Sequence, residues 1–262
     1  VKQRIIVALV AMPLTIFALW WGGAWWVSLV AFVAIVGGFE FYGLMRLGGY
    51  QPDRLVGIIW LFLLVLSGWQ PAYLPLSSLL TLGLILTLIR SLYQTQQPLT
   101  NWTITSAGAI YLGLMLGQAT ALRLLPDGLW WMLLVFLVTW ANDTFAYFVG
   151  ITIGRHKIWP RLSPKKSWEG TIAGWICAAV VGAVFVRATP IMASAEIGAL
   201  IGFGGGVLAL FGDLSISMLK RQVGAKDSGI MMPGHGGMLD RLDSLLFVIP
   251  YVYQIAIWLP YS

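Results

Sequence analysis

Asp213, Ser217 and Lys220 stand at i, i+4 and i+7, so on a helix an acid, a hydroxyl and a cation share one face. Further on, Asp240 and Asp243 are spaced i,i+3 and would share another face. Asp143 lies in an apolar run upstream, and Ser163, Lys165, Lys166 and Ser167 fall together in SPKKSWEG. Between Lys226–Asp227 and Asp240–Arg241 lies PGHGG, Pro233 to Gly237, whose glycines let a backbone approach a ligand closely. Carboxylates brought close together destabilise each other unless something positive sits between them. With no His/Cys cluster available, their oxygens point to a hard divalent cation, Mg²⁺ first and Mn²⁺ or Ca²⁺ behind it. A proton relay is the competing use of membrane carboxylates. The neighbouring lysines and hydroxyls favour a phosphate-bearing ligand instead, because helix entrances offer free N–H groups to phosphate. His235 has three candidate roles, general base, metal ligand or loop hydrogen-bonder; the last is preferred, since phosphoryl-type transfer needs mainly positioning and charge neutralisation.

These residues must be held by membrane helices. The chain has 262 residues, 59% of them hydrophobic and 10% charged, with a mean hydropathy of +0.84. A soluble domain carries about 25% charge, so too little polar sequence remains here to cover a water-facing surface. Apolar runs long enough to cross a bilayer fall at about 5–21, 24–45, 55–70, 76–93, 105–125, 128–149, 170–188, 196–219 and 242–260. The expected fold class is therefore all-α, a polytopic integral membrane protein of about nine transmembrane helices. The start, with Lys2 and Arg4 before an apolar run, has the look of a signal peptide, but the run ends in Trp20 and Trp21 without a small-residue cleavage pattern and is read as a retained helix.

Orientation follows from the basic residues. With the N-terminus cytoplasmic, that side holds every Lys and Arg of the 16 except Arg123 and Arg187. The positive charge is thus topogenic, and nucleic acid is not an expected partner. Loops 150–169 and 220–241 fall on the same side. The sixth and eighth spans run toward it, which puts Asp143 and Asp213 roughly 6 to 9 Å below the surface at 1.5 Å per residue. Glu40, with Arg46 nearby, reads as a structural ion pair or an acid at the interface. The economical description is one membrane domain over 1–262, with 1–127 as hydrophobic scaffold, lipid-lining or dimer-forming, and 128–262 as the catalytic part. The single cysteine, Cys177, permits no intramolecular disulfide.

Ser217, Lys220, Arg221, Lys226, Asp227, Gly229, Pro233, His235, Gly236, Gly237, Asp240, Arg241 and Asp243 together resemble the signature of phosphatidate cytidylyltransferases, also called CDP-diacylglycerol synthases. SPKKSWEG, from Ser163 to Gly170, and GDLSIS, from Gly212 to Ser217, are similar to further segments of that family. Met232 stands where Leu, Ile or Phe is expected, a swap of similar volume. The likeness covers about the C-terminal half.

The resemblance implies that CTP reacts with phosphatidic acid to give CDP-diacylglycerol and pyrophosphate, with Mg²⁺ required, Mn²⁺ as a substitute and a second cation left open. It implies a helical membrane homodimer whose metal ligands map onto Asp213 and Asp240, with Asp243 and Asp143 as further candidates. The expected catalytic set is Asp213, Lys220, Lys226, Asp240 and Asp243. Substrate binding is expected from Ser163, Lys165, Lys166, Ser217, Arg221, Asp227, His235, Gly236, Gly237 and Arg241. On this expectation the lysines hold the triphosphate and Arg221 or Arg241 forks onto the lipid phosphate. Membrane lipids are the remaining partners. The expected location is a bacterial inner membrane with the site facing the cytoplasm, a plastid membrane being the alternative. The competing readings are a CTP-dependent lipid kinase, which would release CDP, and an ion- or proton-coupled transporter, which would give the lysines no role.

Overall fold

The computed structural model describes residues 2–229 and 236–259. In chain order it contains α1 Lys2–Trp21, α2 Gly23–Leu47, α3 Arg54–Trp69, α4 Leu76–Ser91, α5 Pro98–Leu124, α6 Gly128–Thr152, β1 Lys157–Trp159, β2 Ser163–Ser167, α7 Trp168–Ala188, α8 Ala195–Gln222, α9 Leu239–Leu242 and α10 Leu245–Trp258. Each apolar run contains a helix among the described residues. Four of them, α2, α6, α7 and α8, are long and apolar enough to cross a membrane. On α7, Ile172, Ile176, Val180 and Val184 recur every fourth residue and are 45%, 58%, 57% and 63% exposed. An apolar stripe left uncovered at helical spacing is the surface that lipid covers. The chain is a helical membrane protein.

Three boundaries differ from expectation. Helix α5 begins at Pro98 rather than near residue 105, because proline suits the first helical position and the polar first turns find partners. There Asn101 Oδ1 accepts from Gln51 N at 2.8 Å and Thr105 Oγ1 from Asp53 N at 2.9 Å. The stretch 150–169, with Pro160 and Pro164, reads as a stiff loop but contains an antiparallel pair in which Lys157 faces Ser167 and Trp159 faces Ser163. A two-stranded ladder is all edge, where a proline without an N–H is tolerated. The last apolar run is broken, since α9 ends at Leu242 and α10 starts at Leu245.

The chain divides into two compact units. The first comprises Val1–Leu124 and Leu219–Arg241, the second Leu125–Met218 and Leu242–Ser262. In the first, α3 lies on α5 with α2 and α4 beside them. Leu61, Leu64, Val65, Leu112 and Leu116 are buried there. Gly117 lets the helices close: a Cβ added there would stand 2.7 Å from the Leu64 carbonyl oxygen. Polar side chains cross-link the same bundle, with Tyr42 Oη donating to Thr105 O at 2.7 Å and Trp26 Nε1 to Ala119 O at 3.0 Å.

In the second unit α6 lies along α7 and α10 packs on α6. Small residues bring α7 and α8 together, since a Cβ on Gly202 would strike the Ala178 carbonyl and one on Gly182 would strike that of Gly198. Ser167 caps α7, its Oγ accepting from Gly170 N at 3.3 Å, and Trp168 N donates to His156 O at 2.8 Å. The hairpin is thereby fixed to the start of α7. Replacing Gly202 with Val should destabilise the protein by about 1–3 kcal/mol by overpacking. Val184→Ala on the uncovered stripe should stay within about 0.5 kcal/mol. Thermal unfolding in detergent, followed by tryptophan fluorescence, checks both.

Candidate active site

The first unit carries a lysine–carboxylate group built from the two ends of its 219–241 segment. Lys220 Nζ lies 2.5 Å from Asp240 Oδ1, and both side chains are largely buried. Asp240 Oδ2 accepts from Ser228 N at 2.9 Å, Ser228 Oγ at 2.9 Å and Gly237 N at 3.1 Å. Gly236 adopts φ +81°, and a Cβ there would stand 2.9 Å from Asp240 Oδ2, so glycine is needed for both conformation and space. Burial alone would raise the Asp240 carboxyl, but the Lys220 ammonium and the Ser228 and Gly237 amides hold it below the ordinary carboxylate value.

Glu40, on α2, belongs to the same group. Its Oε2 accepts from Ser228 Oγ at 3.1 Å and Leu239 N at 2.9 Å. Its partners are thus donors far along the chain, Ser228 and the start of α9, not Arg46. Lys226 and Asp227 are exposed. The Arg221 guanidinium donates to Ala225 O at 3.1 Å, and Arg241 is exposed. His235 lies outside the described residues.

The second unit carries the other group. Lys166 Nζ forms an ion pair with Asp213 Oδ2, and Ser217 Oγ donates to Asp213 Oδ1 at 3.2 Å. The acid and the hydroxyl share a face of α8 as their spacing implies. Asp143, Asp213 and Lys166 all act electrostatically on Asp243. Asn142 Nδ2 donates to Asp143 Oδ1 at 3.1 Å. Gly212 lets α8 meet the turn at Asp243, where an added Cβ would strike the Asp243 carbonyl.

One expectation is corrected. Asp240 and Asp243 do not continue one helical face: α9 stops at Leu242, and Asp243 turns its Oδ1 onto Ser244 N at 2.6 Å. A side chain bonded to its neighbouring backbone competes with the helix ladder. Lys165 and Lys166 point to opposite sides, because successive residues of β2 face opposite ways. Lys166 reaches Asp213, whereas Lys165 is exposed and its carbonyl accepts from Lys157 Nζ at 3.5 Å. Ser163 stands at the start of β2, opposite Trp159. Ser228, Glu40 and Asn142 were not among the expected site residues. The signal for Ser228 was its place in KDSG, and for Glu40 its charge in an otherwise apolar stretch of α2.

Among the described residues, no three His, Cys, Asp or Glu side chains close on a point as a preformed metal cage. The second group nevertheless fits Mg²⁺ in its chemistry: its donors are carboxylate oxygens, and Asp143, Asp213 and Asp243 outnumber the one ammonium, Lys166. Magnesium is usually held by one or two carboxylates plus substrate phosphates rather than by an all-protein cage.

The fold and the two groups define a helical membrane protein with lysines seated on carboxylates, an arrangement suited to anionic phosphate ligands. The chain belongs to the cytidylyltransferase family, whose profile matches residues 2–258. It is 31% identical over 262 residues to a phosphatidate cytidylyltransferase of Bacillus subtilis (strain 168), covering 96% of each chain. It is 36% identical over 267 residues to that of Brucella suis biovar 1 (strain 1330), covering 96% of this chain and 92% of the other. It is 30% identical over 252 residues to that of Staphylococcus haemolyticus (strain JCSC1435), covering 95% and 96%. The likeness therefore includes the N-terminal half, where no motif stood out.

Asp240 is lowered relative to its unfolded value of about 3.9, so its contribution to stability is full above that value and is lost as pH falls through the lower folded one. Asp240→Asn should cost about 2 kcal/mol, less than the loss for a fully buried pair because this pair keeps some contact with water. The wild-type-minus-variant difference should be flat from about pH 8 to 5 and shrink below about 4. Unfolding temperatures across that range check it, and a difference that changes between about pH 6 and 8 would contradict it.

Proposed function

We propose that the protein transfers the cytidylyl group of CTP to phosphatidic acid, giving CDP-diacylglycerol and pyrophosphate in phospholipid biosynthesis. A phosphate oxygen of phosphatidic acid attacks the α-phosphorus of CTP in line. The bond from that phosphorus to the α,β-bridging oxygen breaks, and pyrophosphate leaves with its electron pair. The observation that carries the reading is the seating of Lys166 on Asp213 and of Lys220 on Asp240, in a chain whose relatives act on phosphatidate.

A lysine ammonium has three donors, so one held by a carboxylate leaves two for phosphate oxygens. Holding the ammonium in place beforehand means that no side chain has to be ordered when charge develops on the leaving group. Lys166 and Lys220 are assigned to triphosphate oxygens, with Lys165 and Lys226 as exposed cations that draw CTP in. Arg221 or Arg241 is assigned to the lipid phosphate. No protein base is required, because a phosphate monoester with a second pKa of about 6 is already ionised at neutral pH.

Asp213 and Asp243 would hold Mg²⁺, with Asp143 as a further candidate ligand. When bound, the ion would neutralise the α-phosphoryl oxygens as a Lewis acid. Asp240, which the family resemblance maps as a metal ligand, is assigned instead to fixing its donors, since both of its oxygens already accept from Lys220, Ser228 and Gly237. Gly236 and Gly237 let the backbone approach a phosphate.

The proposal extends to a bacterial inner membrane, in keeping with the bacterial relatives. It places the N-terminus and the loops 150–169 and 220–241 on the cytoplasmic side, where CTP is available, and it includes a homodimer. The purified protein, given CTP labelled at the α- or γ-phosphorus with phosphatidic acid and Mg²⁺, should put the α-label in lipid and the γ-label in pyrophosphate. Release of CDP with γ-label in lipid would establish a kinase instead.

A further inference from the structure

Glu40 is a charged residue that the proposed reaction does not use. It sits on α2 among Val36, Phe39, Gly43, Leu44 and Leu47, at a groove of about 480 Å³ that Ser228 and Gly229 also line. Its Oε2 accepts from Ser228 Oγ and from Leu239 N, two donors on either side of the segment that contains PGHGG. Ser228 in turn gives its amide to Asp240 Oδ2, and its hydroxyl stands between the two acids, 3.1 Å from Glu40 Oε2 and 2.9 Å from Asp240 Oδ2. A hydroxyl has one proton to donate, so the two carboxylates share a single donor.

The chain is shaped around this carboxylate. A Cβ on Gly229 would stand 2.5 Å from Glu40 Oε1, and one on Gly237 would strike Glu40 Oε2 and Ser228 Oγ. Two glycines therefore allow the backbone on both sides of the segment to close on one side chain. A side chain that accepts from both ends of a segment sets the separation of those ends, as a cross-link would.

We propose that Glu40 is a positioning residue, which ties Ser228 to Leu239 and through them fixes Asp240 and the glycine turn at Gly236–Gly237. This rests on the cytidylyl-transfer reading for its kinetic consequence but not for its structural one. The role requires a carboxyl-type oxygen that accepts two hydrogen bonds, and it does not require negative charge. An amide oxygen in the same place can accept both bonds, which separates positioning from metal ligation or proton transfer.

The test compares Glu40→Gln with Glu40→Ala in the full chain in detergent, by steady-state kinetics with CTP and phosphatidic acid and by amide hydrogen exchange over residues 236–242. Glu40→Gln should keep kcat within about threefold of wild type and leave exchange unchanged; Glu40→Ala should lower kcat by about 100-fold with little change in KM for CTP, the cost of slight misplacement. In Glu40→Ala, exchange over 236–242 should quicken. A Glu40→Gln variant as slow as Glu40→Ala with wild-type exchange would overturn the proposal in favour of a direct role for the charge. Unchanged exchange in Glu40→Ala would overturn it as well. Should the wild type make no CDP-diacylglycerol, the functional reading fails, and the exchange comparison decides the role of Glu40 by itself.

Discussion

A carboxylate carried on an apolar helix costs about 2.5–3.5 kcal/mol even on the lenient insertion scale, and it lowers that cost by meeting donors from elsewhere in the chain. In this protein those donors come from lysines and from backbone close to glycine. Asp213 meets Lys166 and Ser217; Asp240 meets Lys220, Ser228 and the Gly237 amide; Glu40 meets Ser228 and the Leu239 amide. The local conformations follow from these demands. Strand β2 presents Lys166 rather than Lys165, Gly236 takes a positive φ beside Asp240, and Gly212 admits the turn that holds Asp243.

On the proposed reading, the same compensation provides the means of catalysis. CTP and phosphatidic acid are both anionic, so a site for them needs cations that do not have to be gathered at the moment of reaction. A lysine already seated on a carboxylate is fixed and partly neutralised, which makes it tolerable in a low-dielectric protein before substrate arrives. The proposed mechanism differs from that of an enzyme with an activated protein nucleophile: the reacting groups would all belong to the substrates, and the chain would supply place and charge.

Much of this was legible in the sequence because its physics is local. Hydrocarbon runs set the helices, and the i,i+4 spacing put Ser217 beside Asp213 as observed. The charge-bearing loops were marked by contrast with everything around them. What was not legible depended on distant partners. Glu40 and Ser228 are 188 positions apart, so proximity in sequence suggested Arg46 instead. The break at Asp243 was hidden by an apolar run that continues past it, and the hairpin by prolines that usually signal irregular loop. Alternation along β2 then separated two lysines that looked equivalent as neighbours.

The proposed function requires the carboxylates of the second group to act at the reacting phosphates and not merely to stabilise the helices. Titrating Mg²⁺ into CDP-diacylglycerol formation by wild type and by Asp213→Asn, with unfolding temperature measured on the same samples, tests it most directly. Asp213→Asn should stay folded, lose about 100-fold or more in kcat and not regain it at higher Mg²⁺. A folded Asp213→Asn protein with near-normal turnover and an unchanged Mg²⁺ response would contradict it.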